Sequence, residues 1–436
     1  MSGGKPAAQA APDRGGERRL IFVLLVLYAL GFLDRQVISL LLDPIGRDLG
    51  VSDVEMGFLQ GMGFVLFFAL CGPALGWMAD RYPRRAIIWG GVTVWSLCTA
   101  AGGLAQTYHE LLIARFGVGA GEAALLPAAY SMISDRVDKA RLGQAMALFS
   151  LGVIFGGALS YGLGGAAVSV AKHYAGVDLP LLGPRHDWQL VFLGIGLVGL
   201  PLALLVFAVP EPIRRTSGSA TTAAASGFAH FRRHWRFYAA HIAAFSLLCL
   251  ICAAHVAWGA TYLIRHYHWS VGEVGTVLAA MGLVAGGIGM YGSGSLADWL
   301  YRRGRRDAHL RLYVAAIPVM AAAAFAAYSG IGIAATLAGY VVLGIGAPFI
   351  AVAASALQLG TPPERRGLAS AVFLMIYNIV GFGLGPALAA LAGRELFGND
   401  IGLGMVATWA VVAPLAVVFM LAGLGPMRRA VEDVSG

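Results

Sequence analysis

Four ionisable residues interrupt stretches of sequence that are otherwise apolar. Asp34 and Arg35 fall within residues 20–42, and Arg115 and Glu122, seven positions apart, fall within 109–133. A charge held in apolar surroundings costs several kcal/mol, so such residues are functional candidates by default. Burial and a neighbouring guanidinium push a carboxyl group's proton affinity in opposite directions. A buried Asp or Glu beside an Arg can therefore exchange a proton as its surroundings change, and the Arg can instead hold an anionic group. The alternative for each of the four is a static ion pair that locks two helices together.

Depth sharpens the reading. At about 1.5 Å per helical residue, Asp34 lies roughly 21 Å from the end of a span that starts near residue 20. Arg115 lies roughly 9 Å into a span that enters from the other side, which puts it at nearly the same height in a layer of about 30 Å. The two can meet. Glu122 is two turns further on, on the face of Arg115, and is expected to line the route about 10 Å closer to the terminus-bearing side. Arg35 points about 100° away from Asp34, toward helix ends or a substrate headgroup.

The second half of the chain has no carboxylate or Arg in the middle of a span. Its candidates for an opposing wall are polar or aromatic: His241, His255 and Trp258 in one span, Tyr377 and Asn378 in another. Interhelical hydrogen bonding is the alternative use for these. Cys71, Cys98, Cys249 and Cys252 all fall in apolar runs, where small-residue packing accounts for them. Cys249 and Cys252 form a CxxC with His255 one turn away, but further ligands are missing, so no metal site is expected. No phosphate-cradling GxxxxGK[ST] loop appears, and no nucleophile, base or metal ligands converge. Direct ATP drive, an enzyme and a bound cofactor are not expected.

These residues must be positioned by a membrane scaffold. Of 436 residues 58% are hydrophobic and 12% are charged, against roughly 25% charged in a soluble domain. Apolar runs repeatedly reach the roughly 20 residues that cross hydrocarbon: 20–42, 55–79, 86–106, 109–133, 141–170, 188–209, 237–264, 271–298, 310–330, 333–358, 367–393 and 401–425. The fold class is therefore an all-α membrane protein, with twelve transmembrane helices in two pseudo-symmetric six-helix bundles. The expected divisions are a tail at 1–19, a bundle at 20–209, a small-residue linker at 210–236, a second bundle at 237–425 and a tail at 426–436. The linker ends in the basic, aromatic FRRHWRFYAAH, suited to an anionic membrane surface.

Positive residues are retained in the cytoplasm. With both termini inside, 24 of the 31 Lys and Arg are cytoplasmic, 5 lie in opposite loops and 2 lie in spans. The expected location is the cell (inner) membrane, multi-pass, with both ends cytoplasmic and the 168–187 connection outside. The net charge of +8 is then a topology signal and not a nucleic-acid signal. The polar Gly/Ala/Pro-rich start and the full-length first run argue against a secretory signal peptide.

The chain also repeats itself. GWMADRYPRR at 76–85 parallels GSLADWLYRR at 294–303, and SDRVDKARLGQAMALF at 134–149 parallels GTPPERRGLASAVFLM at 360–375. Duplicated six-helix halves are a transporter design with a site between them near the midplane. Gly76 is expected to let a neighbouring helix approach closely. Asp80 amid Arg81, Arg84 and Arg85 is expected to form a charge network or cap a helix, with Asp298 in the equivalent second loop. Such contacts would hold the cytoplasmic side shut.

The 76–85 loop resembles the signature between the second and third helices of the major facilitator superfamily, with Pro83 where that family more often has Gly. FLDRQVISLLLDPIGRDLGVSD (32–53) and ARFGVGAGEAALLPAAYSMISD (114–135) resemble the first and fourth helices of its Spinster branch. The resemblance implies alternating-access transport of lipid-like amphiphiles such as lysolipids or sphingoid phosphates, coupled to protons. The expected partners are thus a small amphiphilic substrate, the proton and membrane lipids, with the protein acting as a monomer. An organic anion:proton symporter or a drug exporter of the same superfamily is the alternative.

Overall fold

The computed structural model describes residues 14–138, 141–176, 178–179, 183–213, 230–362 and 365–435. Residues 1–13 of the expected tail, 214–229 of the linker and short pieces of the second repeat and the 168–187 connection lie outside the described residues. Among the described residues twelve long helices follow in order: α1 (Arg14–Leu40), α2 (Asp53–Ala79), α3 (Arg84–Gly102), α4 (Tyr108–Arg136), α5 (Gln144–Tyr174), α6 (Asp187–Ala208), α7 (Trp235–Tyr267), α8 (Val271–Arg302), α9 (Ala308–Tyr328), α10 (Ile333–Leu359), α11 (Arg366–Phe397) and α12 (Ile401–Ser435), with a short helix, Leu42–Leu49, between the first two. By length and composition, eleven of the twelve are long and apolar enough to cross a membrane. The other, α3, has 19 residues, opens on two arginines and carries Thr93, Ser96 and Thr99. A two-stranded antiparallel hairpin, β1 (Asp178–Leu179) with β2 (Gly183–Pro184), joins α5 to α6.

The helix starts carry the repeat down to single hydrogen bonds. Ser52 caps α2 and Ser270 caps α8, each with a Glu three residues on, Glu55 and Glu273, returning a bond to the cap. This is a capping box, which satisfies two of the free N–H groups at a helix start. The two boxes occupy equivalent places in the two halves. The chain departs from the sequence reading at both ends. Arg14, the first described residue, is already helical although it lies inside the expected tail, and α12 runs on to Ser435 because Met427, Ala430 and Val431 are buried and hold its last turns against the protein.

Two buried clusters form. One lies within the first six helices, around Phe64, Val92, Trp95, Met132 and Phe149; the other fills the last six, around Phe245, Trp258, Tyr313, Phe349 and Trp409, and continues into the first half through Val37, Leu41, Met56, Trp188 and Phe192. The outward surface is apolar, with Phe22, Leu70, Ile113, Val284 and Val411 all more than three-fifths exposed. A soluble monomer rarely shows so much contiguous apolar area; hydrocarbon is the solvent that fits it.

The halves meet at two helix crossings, both toward the end away from the termini. At α2–α11, a Cβ on Gly61 would lie 2.4 Å from the backbone oxygen of Gly383, and at α5–α8 a Cβ on Gly275 would lie 2.4 Å from that of Tyr161. Only glycine permits approaches this close. Between α1 and α7, Thr261 Oγ1 donates to the Ser39 carbonyl at 3.5 Å, while α5 reaches α7 through Tyr161 Oη, which donates to the Val256 carbonyl at 3.3 Å.

Candidate functional site

The charged residues of α1 and α4 form two adjacent pairs. Arg115 Nη1 lies 3.8 Å from Asp34 Oδ1, with both side chains almost wholly buried. Thr99 Oγ1 of α3 donates to the other oxygen of Asp34. Glu122 accepts a hydrogen bond from Arg35 Nη2 at 2.5 Å, so it is one member of an ion pair and not simply a lining group of the route. Arg35 is the most exposed of the four, at 20%. Its guanidinium lies over Phe64 at 4.2 Å, with Phe32 and Phe68 at 4.9 and 5.4 Å, geometry that favours a cation. A Cβ on Gly31 would lie 3.5 Å from Glu122 Oε2, so α1 is smooth where α4 presents its carboxylate.

The pairs are under-satisfied. Asp34 Oδ1, Arg115 Nε and Nη2, Arg35 Nε and Glu122 Oε1 are buried without a protein hydrogen-bond partner. Buried polar groups are nearly always bonded, and exceptions call for an explanation. Spare capacity at two carboxylates and two guanidiniums is what a cluster that takes a proton or an anion requires.

Arg35 faces the space between the halves. A cavity of about 50 Å³ is lined on one side by Arg35, Gln36, Gln60 and Phe64 and on the other by Val256, Ala257, Asn378 and Phe382. A second, of about 200 Å³, shares Gln36 and Val256 with it and is bounded by Tyr161, His255, Met281 and Tyr340. His255 Nδ1 is 2.6 Å from Tyr328 Oη, and Tyr340 Oη donates to the Gly259 carbonyl at 2.8 Å. Asn378 sits in a π-helical stretch of α11, Tyr377–Gly383, which widens that helix beside the first cavity.

The other expected wall residues sit elsewhere. Trp258 is buried with its Nε1 donating to the Pro386 carbonyl, Tyr377 is ringed by Phe349, Phe373 and Phe382, and His241 is closed in by Phe237, Phe245 and Phe373. They line neither cavity. Large apolar neighbours outweigh the polar handle in each case.

The loop after α2 gathers its charges around Arg84. Arg84 is fully buried and bonds to Ser131, Asp135, Glu211 and the Pro212 carbonyl, while Arg85 reaches Glu211 and the Val209 carbonyl. Glu211 also accepts from the first two backbone N–H groups of α3 and so caps that helix. Burial pushes the Glu211 carboxyl up, but hydrogen bonds from Arg84 and Arg85 outweigh it and hold the group below its ordinary value. Arg81 stacks on Trp77 at 4.1 Å, and Asp80 is exposed at the end of α2. Gly76 needs no close approach, since a Cβ there would stand 3.8 Å from Pro127, ordinary contact. In the second half Asp298 is exposed beside His309, and it is buried Asp307 that gathers the basic groups, Arg311 at 3.0 Å and Arg428 at 3.2 Å.

One cluster escaped the sequence reading altogether. At the end away from the termini Arg265 of α7 binds Asp43 and Asp53, which flank the α1–α2 connection, at 2.6–2.8 Å. This clamp crosses between the halves, whereas the ion pairs of Arg84, Arg85 and Asp307 at the other end, among the described residues, join groups of one half. Its signal in the sequence is faint: an Arg at the end of a span and two carboxylates more than 200 residues away.

The profile of the Major Facilitator Superfamily matches residues 24–386. An MFS-type efflux pump of Mycolicibacterium smegmatis is 28% identical over 97% of this chain and 96% of its own length. The protein spinster of Drosophila melanogaster is 26% identical over 56% of this chain, a match that spans only 38% of that longer protein. A crystal structure of a bacterial homolog to the human lysosomal transporter Spinster, inward-facing and unoccupied, superposes with a TM-score of 0.79 at 23% identity, covering 97% of this chain and 98% of the other.

Proposed function

The chain belongs to the major facilitator superfamily and is a Spinster-like secondary transporter, and on that premise we propose that it moves an amphiphilic, lipid-like substrate by proton-coupled alternating access. The observation that carries the reading is the cavity at Arg35. One wall offers a guanidinium held by Glu122 and three aromatic rings, and the other is Val256, Ala257, Phe382 and Pro386 with a single amide, Asn378. A cation facing an apolar wall suits a molecule with an anionic head and a hydrocarbon body. Asp34 and Glu122 are the proposed proton carriers: protonating either one releases its arginine, which is then free to hold the headgroup, and an arriving anion in turn frees the carboxylate to protonate.

Both termini are proposed to be cytoplasmic, in the inner membrane, on the Lys and Arg distribution. The Arg265 clamp then closes the outer end, and the substrate route leads to the cytoplasmic side. The full-length similarity to an efflux pump favours export of a drug-like solute as the second reading. Purified protein in detergent, screened for thermal stabilisation by lysolipids, sphingoid bases, organic acids and cationic drugs, separates the two. Stabilisation by lysolipids or sphingoid phosphates supports the amphiphile reading, and stabilisation by the drugs or the organic acids alone overturns it. Uptake into proteoliposomes with and without an imposed pH gradient tests the coupling.

A further inference from the structure

At the terminus-bearing end, outside both cavities, three metal-ligating side chains converge from the two ends of the second half. His230 and His234 sit one helical turn apart just ahead of α7: the His234 N–H donates to the His230 carbonyl at 2.9 Å, and Phe237 and Tyr238 continue the ladder. Side chains four apart share a helix face, and the two rings are 4.6 Å apart. Both address one oxygen of Asp433 in the last turns of α12, with His234 Nε2 3.0 Å and His230 Nδ1 3.9 Å from Oδ2. The three ligand atoms all lie within 4.8 Å of one another.

The second nitrogen of His230 decides what this cluster is for. Nε2 is 3.1 Å from the Gly360 carbonyl, which can only accept, so Nε2 carries the hydrogen. A neutral His230 therefore turns the Nδ1 lone pair toward a carboxylate, and two acceptors face each other unless a cation or a second ring proton lies between them. An imidazole whose far nitrogen donates to a backbone carbonyl is also the usual setting of a metal-bound histidine. We propose that His230, His234 and Asp433 form a site for a divalent transition metal of the zinc class, which pins the entry of α7 to the end of α12.

Tetrahedral zinc at its usual bond lengths sets ligand atoms about 3.3 Å apart, so the widest separation here must close by about 1.5 Å or less. Arg233 Nη1 holds the other oxygen of Asp433 at 3.2 Å and leaves Oδ2 for the metal. The nearby charge of Arg236 and Arg429 opposes a cation and Glu432 favours one; all three line the adjoining open cleft, from which a fourth ligand such as water can enter.

The test is calorimetric titration of zinc alone into full-length protein that was purified on a tag without histidines and stripped with chelator. One zinc per chain is expected, with intense visible absorption on cobalt substitution and a rise in melting temperature. His230→Ala, His234→Ala and Asp433→Asn should each weaken binding about tenfold or more and abolish the rise. If alanine lowers the yield, His234→Gln keeps a hydrogen-bonding group but no imidazole and is read instead. Absence of zinc binding, or zinc affinity and cobalt spectra unchanged in the double variant His230→Ala/His234→Ala, overturns the site; a doubly protonated His230 alone then explains the geometry.

Discussion

Replacing Arg265 with alanine should open the end of the protein that the clamp holds shut. The side chain makes three charge-assisted contacts across the halves: Nε to Asp43 at 2.7 Å, and both terminal nitrogens to Asp53 at 2.6 and 2.8 Å. A hydrogen bond to a charged group contributes about 1.5–3 kcal/mol when shielded. The guanidinium is one-third exposed, so solvent screening cuts the sum, and about 2–3 kcal/mol for the whole clamp is a working figure. That corresponds to a shift of about 30- to 150-fold, enough to bring an equilibrium poised near 99:1 close to parity. Spin labels on His109 and Leu396, exposed residues of opposite halves at this end, report the change by pulsed dipolar spectroscopy. The variant should show a second, longer distance. Arg265→Lys should recover only part of the loss, since an ammonium lacks the fork that meets two carboxylates. An unchanged distance distribution in Arg265→Ala would refute the idea that the clamp sets the balance.

Asp34→Asn should keep substrate binding but lose the pH dependence of transport in proteoliposomes; full proton-driven transport by the variant would make Asp34 a structural residue. Arg84→Ala takes a fully buried guanidinium away from Asp135 and Glu211 and should destabilise the protein by about 3 kcal/mol, the lower end of what breaking a buried pair costs, read as a lowered melting temperature. Glu211 is held below its ordinary 4.5, so its contribution is present above that value and fades as pH falls through the lower folded one. The stability gap between wild type and Glu211→Gln should therefore shrink on acidification from about pH 6, and a gap that grows would contradict the assignment. Gly61→Val would drive a side chain into the Gly383 carbonyl and should favour the conformation in which α2 and α11 part, seen with the same pair of spin labels; unaltered distances and transport would show that the crossing tolerates bulk.

What the sequence made legible was whatever depends on periodicity and depth. Apart from the first start and the last end, hydrophobic runs place the helices to within about four residues, because crossing hydrocarbon leaves the backbone little choice. Depth arithmetic brings Asp34 and Arg115 to one height, in agreement with their 3.8 Å separation. Azimuth was harder: Glu122 follows Arg115 by two turns and was assigned to the route, but it turns to Arg35 because α1, smoothed by Gly31, passes directly over it. Partners from distant sequence were missed for a common reason. Glu211 is 127 residues from Arg84, Asp53 is 212 from Arg265, and Asp433 is 199 from His234. Nothing in local composition marks those acids as ligands. The capping boxes at Ser52 and Ser270 are S-x-x-E motifs written in the sequence, and they extend the repeat.

The placement of charge along α1 suggests how the proposed proton step can reach the clamp. Asp34 and Arg35 tie α1 to α4 at mid-depth, and Asp43, about 13 Å further along at helical rise, ties the same segment to α7 through Arg265. Between them the helix passes through a 3₁₀ turn at Ile38–Leu40, and Ser39 gives its carbonyl to Thr261 of α7. This turn joins the α-helical part of α1, Arg14–Val37, to the short helix Leu42–Leu49 that carries Asp43, and a 3₁₀ turn between two helical stretches is a natural hinge. Neutralising Asp34 loosens α1 from α4 on one side of this turn while Arg265 still grips it on the other, so the segment can rotate about Ser39. Rigid packing carries the motion: Val37, Ile38, Leu40 and Leu41 are all fully or almost fully buried, and buried side chains at crystal-like density pass on a displacement and do not absorb it. Shortening that lever should uncouple the two events. Ser39→Pro removes the Ser39 N–H and fixes its φ, and in the proposed cycle it should leave substrate binding and the Asp34–Arg115 pair in place while abolishing the pH dependence of the distance between His109 and Leu396. A distance that still follows pH in this variant would mean that the signal bypasses α1.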